Sequence, residues 1–371
     1  MFLVKISSTC AIGDRCNSHT KAIGLTLDDI LRYEILSKTS FKNQKLIVKI
    51  SAAVTMIMFA GGLVSSILSL ITFQNKELRK VGCGIYLLAS SITSLLTMCI
   101  FTVKFWFVIL TQINTTSVSL STFQGGCKII EPLLKLFLYV DSWLNACVAI
   151  ERNVNIFNGV TFDKKKSKRT ARLIIIILPI LVVGTIIHEL IYRGLFEYKT
   201  EKYKPIEYEL MKNLSMQNKT EEYEIETYVF CITRYSHFIQ NYNTAVLFFH
   251  LVVPFIANLY SALYIIFAST RRRSTAQTKQ IYKEHFLEQL NEHKQLLISP
   301  VILLILSLPR LIISLIPGCV NASDNPWLYL CGYFISFVPS MLIFLVFVLP
   351  SNLYKKTFKE TIQSCRRLIR Q

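Results

Sequence analysis

The stretch YVDSWLNACVAIERN, residues 139–153, is apolar enough to lie in lipid, yet it carries an aspartate near its start and ends on Glu151, Arg152 and Asn153. The chain around it has 371 residues, of which 52% are hydrophobic and 17% are charged. A typical soluble protein carries about 25% charged residues. The composition therefore favours an integral membrane protein, in which an ionised Asp141 is costly and calls for a partner.

Apolar runs of membrane-spanning length recur along the whole chain. A helix needs about 20 apolar residues to cross a bilayer, and only helices or closed barrels satisfy the backbone there. We therefore predict an all-α membrane protein, a bundle of seven transmembrane helices with a short amphipathic helix after the last span. The spans are predicted at 47–73, 83–110, 127–150, 171–192, 242–268, 295–317 and 327–349.

The spans divide the chain into an extracellular N-terminal segment, a seven-helix domain and a cytoplasmic tail with an amphipathic helix, at 1–46, 47–349 and 350–371. Cys10 and Cys16 of the first part resemble the end of a cysteine-rich module such as an EGF-like repeat; a lone disulfide loop is the alternative.

The tail combines basic and apolar residues at helical spacing. Lys355, Lys356 and Lys359 alternate with the apolar Phe358, which suits a helix that lies on the inner leaflet. Cys365 in this segment is either a palmitoylation site or an inert thiol.

Charge and glycosylation signals agree on the orientation. Lys and Arg residues concentrate in the loops after spans 1, 3 and 5 and in the tail, whereas the loops after spans 2 and 6 hold almost none. The formal net charge of +18 is therefore directed at lipid headgroups and not at nucleic acid. Four glycosylation sequons lie in the opposite loops, at Asn114, Asn213, Asn218 and Asn321. We predict a multi-pass protein of the plasma membrane with its N-terminus outside and its C-terminus in the cytoplasm.

Two cysteines are placed to hold an extracellular loop against the bundle. Cys127 begins span 3 at the outer surface, and Cys231 is the one cysteine of the long loop 193–241. An oxidising exterior favours a disulfide between them. The alternative is two unpaired thiols at the membrane edge.

These features together resemble the rhodopsin-like family of G-protein-coupled receptors over about residues 47–360. The likeness rests on the seven spans, on prolines in the late spans such as Pro254 and Pro309, and on a cysteine that precedes an acid–arginine pair in span 3. Glu151-Arg152-Asn153 resembles the family's Asp/Glu-Arg-Tyr motif. In that family the arginine pairs with its neighbouring acid at rest and is released to engage a heterotrimeric G protein. The resemblance implies a receptor that binds an extracellular ligand and activates a G protein.

Several positions depart from the family pattern. Ser307 replaces the usual tryptophan of span 6, and Ser94 replaces the aspartate of span 2. Leu349 replaces the asparagine of the last motif, and Tyr354 lies one residue too far from Pro350. A binding-only or decoy receptor is therefore the first alternative, and a transporter or channel is the second. An enzyme is not expected, because no hydrolase or transferase motif and no catalytic or metal-ligand spacing occurs in the sequence.

Cations at membrane depth point to an anionic ligand. Lys104 lies near the outer end of span 2, Lys135 lies in span 3, and Arg310 follows the span-6 proline. Since buried cations need partners, we expect these residues, with Glu131, to line a pocket for a carboxylate or a peptide C-terminus. In the alternative, Glu131 and Glu189 pair internally with the cations.

Asp141 lies near mid-membrane, where the family has a serine beside a buried sodium ion, and Ser94 stands where the family has the aspartate. The resemblance implies an ion site in which acid and hydroxyl have changed places, with Asn145 one turn further along the helix as another oxygen donor. Two alternatives are a protonated Asp141 hydrogen-bonded to Ser94 and a salt bridge to a buried cation. Sodium is the only ion that the resemblance implies.

Overall fold

The computed structural model describes residues 26–31, 34–36, 39–113, 119–203, 223–233, 235–274, 301–309, 311–312 and 325–369. These residues are predominantly helical. A short helix, α1 (Leu27–Leu31), precedes four long ones, which are α2 to α5 at Leu46–Phe73, Gly82–Ile113, Leu120–Asn158 and Lys164–Tyr192. Short 3-10 turns lie between them, at Phe41–Asn43, Leu78–Lys80 and Gly159–Thr161.

The second half of the chain begins with a β-hairpin. β1 (Arg193–Tyr203) pairs antiparallel with β2 (Tyr223–Thr233), and Leu195 lies opposite Cys231. The helices that follow are α6 (His237–Ser274), α7 (301–309 and 311–312), α8 (Pro326–Ile335), α9 (Val338–Met341), a π-helix (Phe344–Val348) and α10 (Asn352–Ile369).

Five of the described helices are long and apolar enough to cross a membrane: α2 to α5 and most of α6. Their outward faces are apolar as well, since α5 exposes Leu173, Ile176, Ile180 and Ile191. Faces of this kind would associate in water but are stable against lipid tails. The structure therefore supports the predicted helical membrane protein. Span 6 is described only in part and the last span is divided into three helical pieces, so the count of seven stays a prediction.

The helices extend beyond the predicted spans because capping decides their ends. α4 starts where the side chain of Ser119 accepts a hydrogen bond from the backbone N–H of Thr122 at 3.3 Å. It stops at Gly159, whose φ of 52° is a left-handed conformation that glycine adopts without strain. α5 starts at Asp163, whose carboxylate accepts from the N–H of Lys165 and Lys166. The apolar run marks only the part of each helix that suits lipid.

The β-hairpin is a correction to the all-α prediction. It lies in the loop 193–241, which the sequence interpretation left without strands. β2 reads YEIETYVFCIT, and such aromatic and β-branched residues fit a pleated strand. The hairpin is relevant to the candidate site because its strand pairing places Cys231 next to the first turns of α4.

The core of the bundle consists of two apolar clusters on either side of a polar layer. The first contains Tyr86 and Leu87 of α3, Leu144 and Val148 of α4, and Phe347 of the π-helix. The second contains Leu27 and Leu31 of α1, Phe101 and Phe105 of α3, and Phe334 of α8. We call the end of the bundle with the β-hairpin the hairpin end, and the end with α10 the tail end. α4 packs against α3, α5 and α6, and it runs from one end to the other.

Candidate functional site

At the hairpin end, a disulfide bond joins Cys127 of α4 to Cys231 of β2, with 5.6 Å between their Cα atoms. Both cysteines are buried. The bond fixes the β-hairpin over the first turns of α4, and the Cys127 sulfur lies 3.7 Å from the carbonyl oxygen of Gly194 in β1. The disulfide therefore holds the hairpin next to the buried cations that the sequence analysis assigned to a ligand pocket.

Below the hairpin lies a network of buried charges. Lys104 of α3 is 1% exposed and forms ion pairs with Asp28 of α1 and with Glu131 of α4, the latter at 3.5 Å. Lys135 of α4 pairs with Glu189 of α5 at 2.7 Å. The structure thus brings Lys104, Lys135 and Glu131 together, but in the internal pairing that the sequence left as an alternative. Such pairing is expected because an unpaired ion costs several kcal/mol in a low-dielectric interior.

Arg193, the first residue of β1, is a further cation of this network that the sequence analysis missed. It is buried beside Glu131 and Glu189, whose carboxylates raise the pKa of its guanidinium although burial opposes the charge. In the described part of the chain, its Nε and Nη1 atoms have no hydrogen-bond partner. The same holds for Oε2 of Glu189, whereas Oε2 of Glu131 lies 3.5 Å from the Lys104 ammonium in the ion pair described above. The network therefore retains hydrogen-bonding capacity that a ligand could use.

Several predicted site residues lie outside the described residues. Arg310 of the predicted ligand pocket is one, and so are the cysteine pair Cys10 and Cys16 and all four sequon asparagines, Asn114, Asn213, Asn218 and Asn321. Cys365 lies in α10, but only the backbone of that residue is described.

In the middle of the bundle, hydroxyl groups from two other elements converge on Asp141 of α4. Ser90, Ser94 and Thr93 of α3 donate to its Oδ1 at 2.6, 3.1 and 3.3 Å, and Ser340 of α9 donates to Oδ2 at 2.8 Å. Asn145 joins the group through Ser90, whose hydroxyl lies 3.2 Å from the Asn145 side-chain oxygen. Asp141, Ser94 and Asn145 therefore lie together as predicted, whereas Ser90, Thr93 and Ser340 were not foreseen.

The composition of this polar layer bears on the three alternatives for Asp141, which are a sodium ion, a protonated acid and a salt bridge. No Lys or Arg among the described residues lies within ion-pair distance of its carboxylate, which removes support for a salt bridge. The donor set is a carboxylate, hydroxyls and an amide oxygen, and hard cations prefer oxygen ligands. The residues present thus fit a sodium ion, and they equally fit a protonated acid whose hydroxyl partners satisfy it.

At the tail end, Glu151 and Arg152 do not pair with each other. Among the described residues, no ion pair joins them; Glu151 instead accepts a hydrogen bond of 2.5 Å from Ser167 of α5. Ser167 in turn accepts from the backbone N–H of Gly82 at 2.9 Å, so this contact ties α3, α4 and α5 together. The resting ion pair that the resemblance implies is therefore replaced by a hydroxyl contact, because the packing of α5 on α4 brings Ser167 to the Glu151 carboxylate.

Arg152 is buried against the last elements of the chain. Its guanidinium lies 5.6 Å from the ring centroid of Phe347 and close to the Cys83 thiol and the Tyr354 hydroxyl. Nη1 has no hydrogen-bond partner in the described part of the chain. Burial raises the pKa of Tyr354 well above its usual value, so its hydroxyl stays protonated beside the cation. Arg152 is therefore a buried charge held by few polar contacts.

One aromatic contact between α4 and α6 was not foreseen. Trp143 donates from Nε1 to Nδ1 of His250 at 3.0 Å, and Tyr139 stacks on the same imidazole with 4.7 Å between ring centroids. Nε2 of His250 lies 2.8 Å from the Thr185 hydroxyl of α5. The only signal in the sequence is a histidine inside an apolar run. This contact fixes α4, α5 and α6 relative to one another between the two ends.

No known protein family matches the sequence, and no curated protein matches it.

Proposed function

We propose that the protein is a seven-helix receptor of the plasma membrane that binds an extracellular ligand at its hairpin end and activates a heterotrimeric G protein at its tail end. The observation that carries the proposal is Arg152, buried at the tail end without a carboxylate partner among the described residues. An ion in such an environment is costly, so an alternative arrangement that releases it is energetically accessible.

A contact path supports coupling between the middle of the bundle and the tail end. Asp141 binds Ser340 of α9, and the π-helix that follows within a few residues places Phe347 over Arg152. π-helical turns frequently occur at functional sites, because they shift side chains relative to a regular helix. In the proposed mechanism, ligand binding displaces the last apolar helices, Phe347 leaves the guanidinium, and Arg152 becomes available to the G protein. Glu151 stays on Ser167 and holds α4 in place.

The orientation within this proposal places the hairpin end outside the cell. Its support is the sequence asymmetry, with all four sequons in the loops on one side and an excess of basic residues in the short loops and the tail on the other. The disulfide at the hairpin end agrees with an oxidising exterior.

Replacing Arg152 with alanine is expected to lower G-protein activation at least tenfold, because the variant lacks the cation that the proposed mechanism releases. The measurement is basal and ligand-stimulated dissociation of a labelled G protein in cells, normalised to surface expression. Arg169→Ala is the matched control, since Arg169 is an exposed arginine at the tail end. Equal activation by the Arg152 and Arg169 variants would contradict the proposed coupling role.

The second candidate function is a binding-only receptor. It is favoured by Ser307, whose hydroxyl donates to the carbonyl of Leu303 in its own helix at 2.8 Å and provides no bulky side chain for a rearrangement. The same assay separates the two functions, because a binding-only receptor activates no G protein whether or not Arg152 is present.

Sodium binding at Asp141 is a further part of the proposal. Ser90, Ser94, Ser340 and Asn145 would hold the ion with Asp141. If sodium is present at ten times its dissociation constant, it stabilises the folded protein by about 1.4 kcal/mol. We therefore expect the unfolding temperature of the purified protein to be higher in sodium chloride than in choline chloride at equal ionic strength.

The variants for this experiment are Asp141→Asn and Ser142→Ala. The first should abolish the sodium effect. The second should keep it, because the Ser142 hydroxyl bonds to the carbonyl of Leu138 in its own helix. If the unmutated protein shows the same unfolding temperature in both salts, the proposal of a sodium site at Asp141 is wrong.

A further inference from the structure

The first described residues of the chain form a segment that is buried inside the hairpin end. α1 has the sequence LDDIL, and Leu27, Ile30 and Leu31 are each at most 1% exposed. A helix of this length is unstable by itself in water, since helices shorter than about 12 residues are marginal. Its conformation therefore depends on the surface that receives it, as that of a bound peptide does.

The surface that receives α1 combines apolar side chains with one cation. We call it the α1-binding surface, and its main members are Phe101, Lys104 and Phe105 of α3 and Leu330 and Phe334 of α8. The apolar residues share one buried cluster with Leu27, Ile30 and Leu31. Lys104 meets the carboxylate of Asp28, so the segment supplies an anion to a buried cation and apolar side chains to an apolar wall.

The segment is organised internally as a capped turn. Thr26 donates from its backbone N–H and from its hydroxyl to the carboxylate of Asp29, at 3.0 and 2.7 Å, and the first of these bonds is the backbone half of a capping box. The cap directs the two acidic residues differently, because Asp29 caps the turn and Asp28 reaches Lys104. A short peptide with this sequence therefore contains the residues whose contacts stabilise the turn in the bound conformation.

The connection from α1 to α2 keeps the segment close to the surface. Gln44 accepts from the N–H of Leu36 at 2.8 Å and donates to its carbonyl at 2.7 Å, and Lys45 pairs with Glu34 at 3.1 Å. α1 ends at Leu31 and α2 begins at Leu46, so a connection of 14 residues, 32–45, separates the two helices. A tether of this length gives an effective concentration on the order of 1 mM for the attached segment.

We propose that the α1-binding surface is a peptide-binding site and that Thr26–Leu31 is its resident, tethered peptide. The ligand class is a peptide that carries a carboxylate between large aliphatic residues, with the carboxylate on Lys104. Buried N–H groups of Arg193 without a hydrogen-bond partner in the described part of the chain offer a place for a second anionic group. The inference rests on the proposed receptor function for its biological meaning, and it names the ligand class of that receptor. A soluble ligand must displace the resident segment.

The experiment releases the segment without changing the surface. A protease recognition sequence is inserted between Thr39 and Ser40, in the loop outside the surface, and the full chain is purified in nanodiscs. The probe is a fluorescent synthetic peptide with the sequence of residues 24–36. Its binding is measured by polarisation before cleavage and after cleavage with removal of the released fragment.

Cleavage is expected to tighten the apparent Kd of the probe on the order of 100-fold. This value follows if the free peptide binds with a Kd of about 10 µM and the tethered copy competes at about 1 mM. A probe with Asp28→Asn should bind at least about tenfold more weakly, because it leaves Lys104 without its partner. A probe with Glu34→Gln is the matched control and should bind unchanged, since the Glu34–Lys45 pair is partly exposed and contributes little.

Equal affinity of the probe before and after cleavage, or no binding in either state, overturns the proposal and makes α1 a structural cap. Equal affinity of the Asp28→Asn and Glu34→Gln probes overturns the assignment of Lys104. As a check on folding, the cleaved protein should keep its Cys127–Cys231 bond and still unfold in one cooperative transition, at a lower temperature because Lys104 has lost Asp28. The assay contains no G protein, so a failure of the proposed signalling function would leave its outcome unchanged.

Discussion

Replacing Cys127 or Cys231 with serine is expected to remove nearly all of the folded protein from the membranes of the expressing cells. The two residues are 104 positions apart, and closing a loop of about 100 residues stabilises a folded protein by about 4.7 kcal/mol in the chain-entropy description. Loss of the disulfide bond also frees the β-hairpin, whose first residue, Arg193, belongs to the network of buried charges. The amount of tagged protein that is recovered folded from cell membranes and the unfolding temperature of the residual protein measure the effect.

Cys331→Ser is the matched control for this experiment. Cys331 is an exposed free cysteine of α8, so its replacement should leave expression and unfolding unchanged. A double variant that lacks both Cys127 and Cys231 should resemble either single variant, because each single change already breaks the bond. Wild-type expression and stability of both single variants would show that the bond contributes nothing to the fold.

Replacing Lys104 with methionine is expected to destabilise the protein by about 3–5 kcal/mol, the usual cost of removing one partner from a buried ion pair. Methionine fills much of the same volume, so the loss comes from the carboxylates of Asp28 and Glu131 and not from a cavity. Asp28 lies on the α1 segment and can move into water, whereas Glu131 is fixed on α4. The unfolding temperature of the purified protein measures the change.

A second substitution separates charge from packing at this position. Lys104→Met combined with Glu131→Gln should recover a large part of the lost stability, because the double variant no longer contains a fixed, unpaired carboxylate. Lys45→Met is the control, since it breaks the partly exposed pair with Glu34 and should cost less than about 1 kcal/mol. If the Lys104 and Lys45 variants lose equal stability, the buried network is not a structural element.

The sequence was sufficient to locate the apolar helices and the central polar residues. The apolar runs predicted α2 to α5 and α6, since lipid requires long apolar stretches whatever the tertiary packing. Asp141 could be recognised as a residue in need of partners, because a carboxylate inside an apolar run is costly wherever the helix lies. Ser94 and Asn145 were found through the family resemblance.

The tertiary structure decided which partners these residues have. Ser340 reaches Asp141 from 199 residues further along the chain, and a serine in an apolar helix gives no sign of its destination. Glu151 has two neighbours of suitable chemistry, Arg152 and Ser167, and only the packing of α5 on α4 selects the hydroxyl. Contacts between distant residues depend on how helices pack, which local composition does not specify.

By itself, the sequence determined that the chain is a helical membrane protein with costly charges at defined depths, because the transfer of each side chain into lipid depends mainly on its own chemistry. Only the tertiary structure decided that Lys104 pairs with Asp28, that Arg193 joins the network and that LDDIL is buried at the hairpin end. A five-residue amphipathic segment has too little local stability for its position in the fold to be predicted from the sequence. Its position follows from the apolar surface and the buried cation that receive it.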